Sequence, residues 1–228
     1  MDDLTVIIPT AGCGSRIMYS PKSLIKLDNG QNLLSRQVDI INENFHPKEI
    51  YCVVGFKKNQ IKKEIKCDNI EFIENNHYEN TNVAYSIGLA LKEIPKTQNV
   101  LIIYGDLVFD KKLDIPFSSG TSILSDFSKE RFFKKDEVGI NSIDSSVINM
   151  NYGVKNKWCH ILYIDKTDRN KIDKIFNDEN NKRLFGFEAI NIAIEEKVEF
   201  KNIRSENIIE IDSYKDLIKA NENFMSMG

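Results

Sequence analysis

Four short runs that are almost wholly apolar, residues 6–8, 50–54, 70–73 and 100–104, alternate with stretches whose apolar residues fall at helical spacing. A strand covered on both faces reads as a continuous apolar run, because neither face meets water. Between the runs, residues 33–44 and 81–94 carry an apolar stripe; in the second, Val83, Ile87, Ala90, Leu91 and Ile94 lie on one side. The alternation predicts an α/β fold, a doubly wound, Rossmann-like sheet flanked by helices, with right-handed crossovers.

From about residue 121 the rhythm changes. Residues 121–127, 137–143, 146–150 and 158–164 read as strands parted by polar turns, with a hairpin over Asp144 and Ser145. Helical patterns return at residues 168–176, 183–196 and 213–224. No Pro, Gly or Ser-rich linker and no internal repeat divides the chain. The expectation is one mixed α/β domain over residues 1–228, residues 1–120 forming a nucleotide-binding half and residues 121–228 an acceptor-binding half.

Composition narrows the partners. The 228 residues carry 31 Lys and Arg against 34 Asp and Glu, a net charge of −3 that offers no overall field for a phosphate backbone. No nucleic acid is expected. The apolar runs fall far short of the roughly 20 residues of a membrane span, so no membrane partner is expected either. Two acids near the start, Asp2 and Asp3, stand where a secretory signal would be basic, and the chain is expected to be cytoplasmic. Four cysteines without a CxxC pair and three histidines argue against zinc and against a disulfide framework.

The strongest local signal follows the first apolar run: Pro9-Thr10-Ala11-Gly12-Cys13-Gly14-Ser15-Arg16, then Pro21-Lys22. A glycine-rich turn after the first strand of an α/β sheet lies at the carboxyl edge, where ligands bind, and its amides can cradle phosphate. Ile17 replaces the third glycine of a dinucleotide fingerprint, and no Gly-Lys-Ser/Thr follows at P-loop spacing. Instead two cations, Arg16 and Lys22, stand within reach of the turn, as a triphosphate requires.

Asp106 follows Gly105 just past the run at residues 100–104, well placed to hold a divalent ion over the sheet edge; a turn or capping role is the alternative. In Ile208-Ile209-Glu210-Ile211-Asp212-Ser213, strand alternation puts Glu210 and Asp212 on one face. Ser213 with Asp216 reads equally well as a capping box. In the Asn-rich segment 74–86, Asn76, Asn82 and Ser86 suit a nucleobase edge, since an amide both donates and accepts; loop chemistry accounts for the same residues. Tyr152, Trp158, Phe185 and Phe187 fit either a quaternary-ammonium cage or a packed core. The lysines at 57, 58, 62, 63 and 66 read as a solvated face.

The stretch from Ala11 to Lys22 resembles the L-A-A-G-x-G-S/T-R-M…P-K signature of nucleotidyltransferases that activate phosphorylated sugars, alcohols or polyols with CTP or UTP. It departs at Pro9-Thr10 and at Ile17. Within that family the Asn-x-x-Tyr…Asn…Ser spacing is similar to that of phosphocholine cytidylyltransferases. The likeness covers the first 110 residues well and the last 70 loosely. It implies the nucleotide-diphospho-sugar transferase fold and transfer of CMP or another NMP from CTP or another NTP to a small phosphorylated acceptor such as phosphocholine. It implies Mg2+ held by Asp106 and Asp212, Arg16 and Lys22 on the triphosphate, and residues Ala11, Gly12, Cys13, Gly14, Ser15, Asn76, Asn82 and Ser86 on the nucleotide. Lys155 and Trp158 are the acceptor-side candidates. A sugar 1-phosphate is the alternative acceptor. A nucleotide-sugar glycosyltransferase of related architecture should carry Asp-x-Asp where this chain has Asp106-Leu107-Val108, and a module that only binds nucleotide would release no pyrophosphate.

Overall fold

A computed structural model of the chain describes residues 3–13, 20–126 and 135–224. The predicted alternation appears as β1 (Leu4–Pro9), α1 (Leu33–Phe45), β2 (Glu49–Val54), α2 (Lys58–Glu64), β3 (Ile70–Glu74), α3 (Val83–Glu93) and β4 (Asn99–Ile103). These strands pair in parallel in the order β3-β2-β1-β4, as in a dinucleotide-binding half-fold. Side chains alternate between two cores. Ile7, Val53 and Ile102 face α3, whereas Val6, Ile8, Cys52, Val54, Leu101 and Ile103 face α1 and α2. That double burial is why β1, β2 and β4 are so apolar, whereas β3 at the sheet edge keeps Glu71 and Glu74.

The second part adds β5 (Leu107–Phe109), β6 (Ser122–Asp126), β7 (Val138–Ile143), β8 (Ser146–Tyr152), β9 (Lys157–Ile164), α4 (Arg169–Phe176), α5 (Gly186–Glu195), β10 (Lys201–Ser205), β11 (Ile208–Glu210) and α6 (Tyr214–Phe224). Antiparallel β9 seals the parallel part by pairing with β4, and the sheet continues β9-β6-β10-β8-β7 to nine strands. The hairpin turns at Asp144 and Ser145, both at positive φ. Pattern reading missed β10, which carries a single apolar residue, Ile203, yet sits in mid-sheet parallel to β6. It also missed β5, three residues long, which forms a separate ribbon with β11. A third small core, of Val108, Ile209, Ile211 and Ala220, seats that ribbon under α6.

Arg169 on α4 is fully buried; it pairs with Asp173 at 2.9 Å and 3.2 Å and donates to the carbonyls of Leu91, Ile94, Pro95 and Gln98. It thereby satisfies oxygens that the end of α3 leaves without helical donors. In β9, four residues span two of β6, from Ile123↔Leu162 to Ser125↔Trp158, and His160 within this bulge has φ 57°. No helix among the described residues is long and apolar enough to cross a membrane.

Candidate active site

The carboxyl ends of β1 and β4 open onto a cavity of about 460 Å3. At its floor the chain leaving β1 stays tied to β2: Thr10 N donates to Val53 O at 2.8 Å, and Ala11 O accepts from Phe56 N at 3.0 Å. Gly55 makes this approach possible, since a Cβ there would stand 2.7 Å from Ala11 O and 2.8 Å from Tyr78 Cβ. Gly105 does the same on the other side, where a Cβ would collide with Thr10 Cγ2. The loops after β2 and β4 therefore pack against Thr10 and Ala11, which line the cavity together with Gly12.

The acids come together through the small ribbon. Glu210 pairs with Leu107 in the β11–β5 register, and Ile211 N donates to Asp106 O at 2.9 Å. Oxygens of Asp106, Glu210 and Asp212 then all lie within 4.8 Å of one another. Lys22, at the start of a single 3-10 turn (Lys22–Leu24), sends its Nζ to Asp212 Oδ1 at 2.6 Å and Asp106 Oδ2 at 3.2 Å. Glu210 is held from β9, with its Oε2 3.2 Å from Lys157 Nζ and 3.6 Å from His160 Nε2. Lys157 also meets Glu137 at 3.1 Å. The capping contacts fall on Asp216, with Ser213 N and Oγ donating to its Oδ2, each at 2.7 Å, while Asp212 turns its carboxylate to Lys22.

The electrostatics follow from this crowding. Burial together with the Glu210 charge pushes the Asp106 carboxyl above its ordinary range, against the pull of Lys22 and His160. Burial also opposes charge on Glu210, but His160 and Lys157 outweigh it and hold that carboxyl below its ordinary range. For Lys22 burial works against the ammonium, and the charges and hydrogen bonds of Asp106 and Asp212 more than compensate. The cavity is also rich in unmatched polar atoms. Of seven buried side-chain atoms with no hydrogen-bond partner among the described residues, Ser23 Oγ, Tyr104 OH, Asp106 Oδ1 and His160 Nδ1 belong to its lining. Such atoms are uncommon in folded chains, and their concentration here points to a ligand.

The donor set suits a hard divalent cation: three carboxylates within one ion's reach, one of them with a spare buried oxygen, and no sulfur.

Of the residues expected from sequence, Ala11, Gly12, Lys22, Asn82, Ser86, Asp106 and Asp212 all line the cavity. Gly14, Ser15 and Arg16 lie outside the described residues, and Cys13 is exposed beside them. Asn76 does not reach the cavity. It is exposed on the turn after β3, where its Oδ1 accepts from Lys58 at 2.9 Å, and buried Asn75 takes the inward place, donating to Thr81 Oγ1 and Ser86 Oγ at 3.1 Å. Lys155 is exposed on the turn after β8, away from the lining. Trp158 is buried beneath the cavity rather than on its wall, stacked on His160 at 4.5 Å and edge-on to Tyr104 at 5.4 Å. Tyr78, Tyr104, His160 and Phe185 line the cavity without having been singled out for the nucleotide or the metal. For His160 no periodic signal exists, because its placement depends on the bulge.

Comparison with known proteins agrees with this geometry. Residues 6–114 match the family described as the MobA-like NTP transferase domain. Among curated relatives, the bifunctional protein GlmU of Buchnera aphidicola subsp. Schizaphis graminum is 25% identical over 223 residues, 92% of this chain and 48% of that one. The chain spans about half the length, or less, of the curated relatives it matches. Among solved structures, CTP:phosphocholine cytidylyltransferase from Streptococcus pneumoniae superposes with a TM-score of 0.79 at 20% identity, over 97% of this chain and 99% of that one. UDP-glucose pyrophosphorylase complexed with UDP-glucose superposes with a TM-score of 0.77 at 11% identity, over 100% of both chains. The chain thus has the nucleotide-diphospho-sugar transferase fold, and its residues 6–114 are similar to the MobA-like NTP transferase domain.

Proposed function

We propose that the protein transfers a nucleotidyl group, CMP in the first instance, from an NTP to a small phosphorylated acceptor and releases pyrophosphate. The observation that carries this reading is one cavity in which the Ala11-Gly12 turn, Lys22 and the Asp106–Glu210–Asp212 group meet. The turn receives the nucleotide, with Asn75, Asn82 and Ser86 at the base side, and Lys22 and Arg16 meet the triphosphate. Asp106, Asp212 and Glu210 would hold Mg2+, which when bound neutralises charge on the triphosphate and the departing pyrophosphate. The acceptor enters beside Tyr104, His160 and Phe185.

A phosphate monoester has its second pKa near about 6, so it is largely dianionic at neutral pH and needs no base to attack. What the chain must supply is alignment of two anions and relief of their repulsion, and the placed lysine does both. Phosphocholine is the proposed acceptor; the name of the cytidylyltransferase with the same fold supports it. A sugar 1-phosphate is the second reading, supported by the likeness to UDP-glucose pyrophosphorylase. The test is pyrophosphate release with Mg2+, across CTP, UTP, dTTP, ATP and GTP, each paired with phosphocholine, an amino-alcohol phosphate and glucose 1-phosphate. Turnover with CTP and phosphocholine is expected. Turnover confined to a sugar phosphate moves the reading to the second acceptor, and nucleotide binding without pyrophosphate release under every pairing overturns it.

A further inference from the structure

Lys22 occupies the place a cation would take. Its ammonium lies 2.6 Å from Asp212 Oδ1 and 3.2 Å from Asp106 Oδ2, two of the three carboxylates grouped within 4.8 Å. A divalent ion binds carboxylate oxygens at roughly 2.0–2.6 Å. Two positive charges cannot share that gap, so one has to leave. The third acid, Glu210, is meanwhile held by Lys157 and His160 and needs no help from Lys22. Lys22 is also free to swing. Its backbone is fixed by the 3-10 turn, where Ile25 N donates to Lys22 O at 3.0 Å, while its four-carbon stem carries a compact charge with three rotatable donors.

We propose that Lys22 and a divalent cation compete for Asp106 and Asp212, Lys22 holding the two acids in the free chain and moving to the triphosphate when nucleotide and ion arrive. The exchange makes nucleotide and ion binding mutually favourable: a triphosphate draws the lysine off the acids and so completes the cation site, and by linkage the ion raises affinity for nucleotide. The role of the triphosphate rests on the proposed nucleotidyl transfer; the competition itself does not.

Mn2+ binding to the nucleotide-free protein, followed by the electron paramagnetic resonance of unbound Mn2+, tests the competition without turnover. Lys22→Met is expected to bind Mn2+ about tenfold more tightly than the wild type, a coupling of ordinary size. Lys22→Gln, which keeps a donor for the acids without the charge, should also bind more tightly and serves if the methionine variant does not fold. Lys157→Met removes an equal charge beside Glu210 and is expected to gain less. In the wild-type protein, Mn2+ alone should expose Lys22 to acetylation, read by peptide mass spectrometry. Unchanged or weaker Mn2+ binding in the Lys22 variants, an equal gain in Lys157→Met, or Lys22 labelling that Mn2+ does not raise overturns the competition. A chain that releases no pyrophosphate but shows these gains loses the proposed reaction and keeps the competition.

Discussion

Two groups of charged side chains, both largely withdrawn from water, are built on opposite plans. Around Arg169 every donor finds an acceptor: Asp173 supplies a carboxylate from the same helix and four carbonyls supply the rest. Around Asp106 three acids crowd together, and Asp106 Oδ1, Tyr104 OH and His160 Nδ1 have no hydrogen-bond partner among the described residues. Burying a charge is tolerable only when its hydrogen bonds are complete. The first group meets that condition by itself and locks α4 to the end of α3. The second does not meet it among the described residues, which is how a candidate site differs from a strut.

Substitutions sharpen the contrast. Arg169→Leu leaves Asp173 buried without its partner and uncaps α3, so unfolding in urea should show a loss of about 3–5 kcal/mol. The soluble fraction of that variant should turn over substrate much as the wild type does; a stability unchanged within error would dissolve the distinction. In the other group the cost falls on function. Asp106→Ala and Lys22→Ala should each lower the rate of pyrophosphate release at least about a hundredfold, the scale of removing one electrostatic stabiliser, while circular dichroism reports a folded chain. Near-normal turnover in either variant removes that residue from the machinery.

A subtler difference concerns pH. The Asp106 carboxyl lies above its ordinary range, with burial the largest cause. A carboxyl raised by folding costs stability when ionised, and the cost is relieved as pH falls through its folded value. Asp106→Asn in metal-free buffer should therefore be at least as stable as the wild type at pH 7, the gap closing once Asp106 is protonated in both folded and unfolded chains. A variant markedly less stable at pH 7 would make Asp106 a strut like Arg169. The smallest effect is expected on the surface, where Glu74 joins Lys58 and Lys62 at 2.6 Å and 2.7 Å in full view of solvent. Glu74→Gln should leave the melting temperature within error, since water and salt screen such pairs.

The parts legible in the sequence share a cause. The strands β1 and β4 are buried on both faces, so composition alone marks them, and the residues just past their ends, Ala11, Gly12 and Asp106, inherit a position from them. For Asp212, strand alternation puts it on one face with Glu210 but leaves a capping box equally open, and the resemblance alone makes it a metal ligand. Elements whose surroundings are polar left no trace: β10 hides Asn202, bonded to Ser125 and Ser142, where a core strand would place an aliphatic residue. The exchange of Asn76 for Asn75 turns on one residue just past β3, where Asn75 N still donates to Val54 O and Asn76 has already entered the exposed turn. His160 reaches Glu210 only because β9 bulges, and no periodicity encodes a break in periodicity.

The ribbon of β5 and β11 has a consequence in time. Lys22 bonds Asp212 across 190 residues of sequence. A chain emerging N-terminus first can close its parallel sheet and shape its glycine-rich turn while Glu210 and Asp212 are still unmade. If the proposed function holds, the site is completed by the last strand to be synthesised, and a chain that stalls before residue 208 lacks two of its three acids.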